Sequence, residues 1–192
     1  AAEKKPFIRE LPVRKGENKL VIENTSDKPV YANIVRKGIP LVSDTMPAEN
    51  GLSMSVNYLN LELKQIDQRN LLQGTDFIMV VKVTNNTFLS VDNIALTQMV
   101  PSGWEIRNTR LFEANYGIKE STYDYRDFRD DRVYTYFRLN QGESKTFLLI
   151  LNAAYSGEFY QPSLWCEAMY TDNYYSRIPG NKVKITGERL EE

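Results

Sequence analysis

Apolar side chains recur at every second position along much of the chain. Phe77, Met79, Val81 and Val83 share one face of an extended backbone starting near Thr75. From Asp131 on, Val133, Thr135, Phe137 and Leu139 face one way while Arg132, Tyr134, Tyr136 and Arg138 face the other. Leu164, Cys166, Ala168 and Tyr170 repeat the pattern, as do Val183 and Ile185 between Lys182 and Lys184. A period of two with one polar face predicts antiparallel strands in a half-solvated sheet. Turn formers separate the runs: Gln73-Gly74, Asn85-Asn86, Pro101-Ser102-Gly103, Asn140-Gln141-Gly142, Ser156-Gly157 and Pro179-Gly180-Asn181. Short strands punctuated this way over about 145 residues predict a β-sandwich of immunoglobulin or fibronectin III type. No segment sustains a 3.6-residue pattern, and there is no internal repeat or low-complexity tract.

The N-terminal part reads differently. Two apolar runs, Lys19-Leu20-Val21-Ile22-Glu23 and residues 30–35, flank the polar Asn24-Thr25-Ser26-Asp27-Lys28-Pro29, which predicts a hairpin-like pair. Arg36-Lys37-Gly38-Ile39-Pro40 ends the second run, and residues 43–51, with Pro47, Asn50 and Gly51, read as a linker. A boundary near residue 48 follows, giving a β segment over 1–47, too short to bury a core alone, and a sandwich over 48–192.

Composition agrees with sheet: 13 Val, 12 Ile and 12 Thr stand against 9 Ala. The absences narrow function further. With no histidine, Ser-His-Asp and Cys-His catalysis and imidazole metal sites are excluded. One cysteine makes no internal disulfide and no Cys-x-x-Cys clip. A net charge of −1 leaves no electrostatic footprint for nucleic acid. The longest apolar run, Phe147-Leu148-Leu149-Ile150-Leu151, is far short of the ~20 residues that cross a bilayer. The chain opens Ala1-Ala2-Glu3, without Met or signal segment, which is expected of an excised fragment or processed product.

The densest charged run is Asp124-Tyr125-Arg126-Asp127-Phe128-Arg129-Asp130-Asp131-Arg132. Its four carboxylates suit calcium chemically, but the spacing lacks the alternating ligands and glycine of a calcium loop. Three arginines able to fork onto carboxylates make self-neutralisation the better expectation, with Arg129, Asp130, Asp131 and Arg132 as a structural charged motif. Nothing in the run marks a glycosidase pair. Cys166 lies on the apolar face of its strand and reads as a buried, inert thiol. Tyr170, Tyr174 and Tyr175, with Trp165 and Tyr160 nearby, form an aromatic cluster around a polar connection. Such loop aromatics either make a contact surface or fold back on the sheet edge. Asn24-Thr25-Ser26 and Asn85-Asn86-Thr87 match the glycosylation triplet, which is frequent by chance.

Pro101-Ser102-Gly103-Trp104-Glu105-Ile106-Arg107-Asn108 resembles a Pro-x-Gly-aromatic-Glu-Ile segment of the C-terminal region of bacterial alpha-2-macroglobulins, where it follows a strand such as Asn93-Ile94-Ala95-Leu96-Thr97. Further likenesses come in order: Leu71-Leu72-Gln73-Gly74-Thr75-Asp76, Arg129-Asp130-Asp131-Arg132, Leu151-Asn152-Ala153-Ala154-Tyr155-Ser156-Gly157-Glu158-Phe159 with Pro162, and Glu167-Ala168-Met169-Tyr170. Gly38-Ile39-Pro40 and Gly51-Leu52-Ser53 also fit, so the resemblance runs from about residue 18 to 186. It implies that 48–192 is a terminal macroglobulin-like sandwich and 1–47 the returning strands of a CUB-type domain, within a large envelope-associated or secreted protease trap. Partners would then be the helical thioester domain and neighbouring macroglobulin-like domains of the same polypeptide, with target proteases engaged by the whole protein. The only cysteine reads Cys166-Glu167-Ala168-Met169, without the glutamine of a Cys-x-Glu-Gln thioester, so none is expected in this chain. Relatives with a thioester shield it with aromatic and Met side chains of this sandwich, and Met169, Tyr170, Tyr174 and Tyr175 are the candidates here.

The leading expectation is therefore a non-catalytic structural and interdomain-contact module, needing no cofactor or metal. A carbohydrate-binding or adhesive sandwich with Tyr and Trp as stacking platforms is the alternative. A hydrolase using carboxylates of residues 124–131 is a weaker third.

Overall fold

The structure, a computed structural model, describes residues 8–12, 19–35, 46–107, 118–171 and 173–187. Residues 36–40 and 43–45, expected to end the second run and begin a linker, lie outside that set, as do residues 1–3, Asn108 and Asp172. The chain divides into two units, Ala1–Ile39 and Pro40–Glu192.

In the first unit the turn forms but the expected strand pair does not. Asn24 Oδ1 accepts from Ser26 N at 3.1 Å, and Asn24 Nδ2 donates to the Lys28 carbonyl at 2.9 Å. The described residues on either side carry no strand, and Val21, Tyr31 and Val35 are exposed. A lone two-stranded ribbon has no apolar layer to pack on, so its backbone gains too little from pairing to hold a ladder.

The second unit is all-β among the described residues, as the period-two pattern predicts. One sheet runs, in spatial order, β1 (Ala48–Asn50), β12 (Tyr175–Ile178), β11 (Leu164–Ala168), β5 (Val91–Met99), β8 (Arg132–Leu139) and β7 (Tyr125–Phe128). The facing sheet runs β2 (Leu52–Asn60), β4 (Asp76–Asn85), β9 (Ser144–Ala153) and β6 (Trp104–Ile106). A third small sheet joins β10 (Gly157–Gln161), β13 (Asn181–Thr186) and β3 (Asn70–Leu72). Every strand pair is antiparallel except β13 with β3, which is parallel. Alternation at Leu164, Cys166 and Ala168 holds, but Tyr170 does not continue it. The strand stops at Ala168, the chain reverses, and Thr171 N donates to the Ala168 carbonyl.

The core lies between the two larger sheets. Phe77, Met79, Val81 and Val83 of β4 meet Val133, Phe137 and Leu139 of β8, all fully buried. Phe137 and Phe147 join the sheets with ring centroids 4.6 Å apart. Tyr58, Phe77 and Trp104 form a second aromatic node, Phe77 and Trp104 edge-on at 4.9 Å. Burial pushes the Tyr58 hydroxyl up to about 12, against the smaller opposing effect of the amide hydrogen bond that Gln161 donates to it.

One ion pair closes the open side of the sandwich. Arg126 of β7 points inward, its side chain only 3% exposed, and its Nη2 lies 2.6 Å from Glu120 Oε1. Arg126 Nε donates to the hydroxyl of the buried Thr135 at 3.0 Å, and the guanidinium stacks 4.2 Å from the Tyr123 ring centre. The same carboxylate accepts from Leu148 N of β9 at 2.9 Å, and Ser121 Oγ accepts from Thr146 N. Side-chain oxygens thus satisfy edge donors of β9 where β6 no longer pairs, and the pair ties the edges of the two sheets together.

Two outcomes are expected. Glu120→Ala should remove about 3–5 kcal/mol in urea unfolding, because it strands a buried guanidinium. Replacing Glu120 and Arg126 together by leucine should remove less than the single change, and equal losses would show that a stranded guanidinium carries no penalty here. The second concerns alkaline pH. The folded hydroxyl of Tyr58 releases its proton only near 12 and the unfolded one near 10, so stability is full below pH 10 and drains toward pH 12. Tyr58→Phe should be less stable at neutral pH, since buried Gln161 loses its partner, yet lack up to about 3 kcal/mol of that alkaline decline.

Candidate functional site

One end of the sandwich gathers the Gly51 link between β1 and β2, the β4–β5 loop, the β8–β9 turn and the β11–β12 connection. Asn85, fully buried at the end of β4, organises it. Its amide donates to the Leu89 carbonyl at 2.8 Å and the Asn140 carbonyl at 3.0 Å, with the Leu139 carbonyl farther at 3.4 Å. Its Oδ1 accepts from Thr87 N at 2.9 Å, and the Thr87 hydroxyl lies 2.8 Å from both that oxygen and the Leu89 carbonyl. Asn85 of the Asn85-Asn86-Thr87 triplet is therefore a buried turn brace, and its amide has no room or free valence for a glycan in the folded chain. Asn24-Thr25-Ser26 is likewise an Asx-type turn.

Gly51 couples that loop to the aromatic cluster. Its carbonyl accepts from Asn86 N at 2.9 Å. Its φ is 69°, and a Cβ there would lie 2.5 Å from Tyr174 Cδ1 and 2.9 Å from Thr87 Cγ2. Only glycine fits both the left-handed backbone and the close approach.

The predicted aromatics separate into distinct roles. Tyr174 packs against the core. Tyr175 belongs to β12 rather than to a polar loop, and it stacks on Trp165 at 5.8 Å with planes 6° apart. Adjacent residues of an extended chain point to opposite sides, which accounts for the split. Met169 and Tyr170 occupy the turn after β11 and are exposed, Tyr170 at 82%. Met169 N donates to the carbonyl of Asn93, which sits at φ 54° beside the bulge between Val91 and Ile94. Phe88 and Leu89, which the alternation pattern passes over, are also exposed at this end, at 88% and 66%.

The charged motif lies elsewhere, at the β7–β8 turn. Arg129 pairs with Asp127 at 2.8 Å, and Arg132 forks onto Asp131 and reaches the Tyr134 hydroxyl at 3.3 Å. These hydrogen bonds hold the Asp131 carboxyl below its ordinary range. Arg129, Asp130, Asp131 and Arg132, with Phe128 and Tyr134, line a shallow open depression. The pairs are local and exposed, and the buried guanidinium of the run is Arg126, paired outside it with Glu120. Among the described residues no three His, Cys, Asp or Glu side chains converge on a cation-sized site. The Cys166 thiol faces the core, and burial, then the nearby Glu167 carboxylate, pushes it far above the ordinary thiol range.

Comparison with known proteins places this architecture. The family model described as "Bacterial Alpha-2-macroglobulin MG10 domain" matches residues 51–173. The alpha-2-macroglobulin of Rickettsia conorii is 22% identical over 185 residues, covering 93% of this chain and 10% of the relative. The alpha-2-macroglobulin homolog of Yersinia pestis is 23% identical over 180 residues, covering 82% and 9%. The solved structure of Escherichia coli alpha-2-macroglobulin activated by porcine elastase shares the fold at a TM-score of 0.68 and 19% identity, over 78% of this chain and 14% of that one. The two-sheet sandwich is thus a macroglobulin-type module. The chain belongs to the bacterial alpha-2-macroglobulin MG10 domain family. It spans about a tenth of the length of the curated relatives it matches.

Asn85→Ala should lower stability by about 2 kcal/mol, since it removes the hydrogen bonds by which one fully buried side chain holds the Leu89 and Asn140 carbonyls and Thr87 N. Asn85→Asp should lower it at least as much, because a carboxylate keeps the Thr87 acceptor but turns charge on those same carbonyls. Urea unfolding measures both, and a neutral Asn85→Ala would show that the brace is dispensable.

Proposed function

We propose that this chain is a non-catalytic structural and interdomain-contact module of a bacterial alpha-2-macroglobulin-like protease trap of the envelope or the exterior. The family match over residues 51–173 carries this reading. The Escherichia coli relative, activated by porcine elastase, supports an encounter with proteases for the longer protein. The exposed apolar side chains at one end of the sandwich, Met169 and Tyr170 among them, support contact as its work. No helix among the described residues is long and apolar enough to cross a membrane.

In this reading residues 48–192 form the sandwich proper and residues 1–47 belong to a CUB-type domain completed by chain beyond this sequence. Met169 and Tyr170 make the contact with the helical domain. Tyr174 and Tyr175 anchor the root of their connection, one in the core and one on Trp165. Where the parent carries a thioester, the contact keeps water from it, since a strained acyl group survives only in a dry pocket. Arg129, Asp130, Asp131 and Arg132 shape the β7–β8 turn. The sugar-binding alternative has less support, because stacking on each other covers one face of both Tyr175 and Trp165 and the family match points elsewhere.

The test uses the full-length protein with elastase. Trapping should abolish cleavage of a large protein substrate while sparing a small peptide substrate, and unchanged cleavage of both would overturn the reading. Met169→Ala with Tyr170→Ala should speed loss of the thioester, or the shape change on cleavage where none exists, at least threefold. An unchanged rate would remove these two side chains from the contact.

A further inference from the structure

The β4–β5 loop presents its two largest apolar side chains to solvent from a backbone that is held rigidly. Phe88 is 88% exposed and Leu89 66%, while Asn85 beneath them is fully buried and bonds to both arms of the loop. A loop braced this way loses little entropy on binding, which is the preorganisation expected of a contact element rather than of a slack connection. Its residues, Asn86, Thr87, Phe88, Leu89 and Ser90, carry no charge, so the complementary surface is apolar.

The loop is also continuous with the turn that carries Met169 and Tyr170. Thr87 and Tyr174 approach Gly51 from two sides, and Met169 hangs on the carbonyl of Asn93 just after the loop. Adjacent exposed apolar groups at one end of a sandwich form a patch of the kind that marks an interface. The sequence spans about a tenth of the relatives it matches, so most of the polypeptide lies outside it and supplies candidate cover.

We propose that Phe88 and Leu89 are a docking knob that inserts into an apolar surface on another domain of the same polypeptide, beside the contact made by Met169 and Tyr170. The proposal rests on the reading of this end as an interdomain surface and adds a second, independently built anchor to it. The knob sets the position and the braced loop sets its angle.

Cysteine labelling in the full-length protein tests it. Phe88→Cys, Leu89→Cys, Tyr170→Cys and, at the opposite end, Glu158→Cys are each treated with a maleimide, and the labelled peptide is quantified by mass spectrometry. Phe88→Cys and Leu89→Cys should label at least tenfold more slowly than Glu158→Cys at every protein concentration, and all should label alike after denaturation. Leu89→Cys keeps Phe88 in place, so protection there survives even if the Phe88 change itself loosens the contact. Labelling of both loop positions at the Glu158→Cys rate overturns the proposal, and so does protection that vanishes on dilution, which would assign the patch to a second copy. Protection of Tyr170→Cys with none at the loop would sink the knob alone, whereas protection at neither position sinks the interdomain reading with it.

Discussion

Two sheets that turn phenylalanine, leucine and valine toward each other must keep water out along the side where the layers end. In this sandwich that constraint is met by a guanidinium and a carboxylate. Arg126 and Glu120 are buried together and held from outside the pair: Thr135 and Tyr123 on the cation, Leu148 N on the anion. The pair does not stabilise by attraction alone, because desolvation offsets much of the Coulomb gain. A carboxylate that must meet one arginine and one backbone amide fixes where residues 118–121 lie against β9, and hence which sheet edges face each other.

With the side closed, the ends remain as places where chain leaves the ladder. The two ends are built differently. The third small sheet takes up one set of connections, and its Phe159 and Ile185 reach Gly103 of the turn before β6. At the other end Asn85 and Gly51 do with side-chain hydrogen bonds and a missing Cβ what a sheet does with a ladder. They leave the tips, Phe88, Leu89, Met169 and Tyr170, uncovered. Buried polar groups that brace loops bearing exposed apolar side chains are what the proposed contact would need.

How much of this was legible in the sequence depends on the physical signal each feature leaves. Period two exposed β4, β8, β11 and β13, because one face of each is wet or lightly covered. It failed for β9, where Phe147, Leu149 and Leu151 are buried on one face and Ile150 on the other, so the alternation is erased. Strands of three or four residues, such as β3, β6 and β7, are too short for any period. The residues 19–35 show the converse error: strand-like composition without a layer to pack against gives no strand. In the charged run, arithmetic of neighbours pairs arginine with aspartate correctly for Arg129 and Arg132, yet misses Arg126, whose partner lies six residues back and is reached only because the chain folds under.

The candidate contact residues show the same limit from another side. Tyr170, Tyr174 and Tyr175 look alike in sequence, but backbone position divides them into an exposed tip, a core member and a stacked sheet residue. Phe88 and Leu89 left one trace, the Asn85-Asn86-Thr87 triplet, whose more familiar reading is a modification signal. The difference between the two readings is burial: an amide with two short bonds to carbonyls is a brace, and the same amide in water is an acceptor for a sugar. A triplet of this kind placed directly after an alternating strand and before two large apolar residues is therefore better read as a loop built to hold them out. The alternation that ends at Asn85 is what puts its side chain inside, and the rest of the loop end follows from that one inward turn.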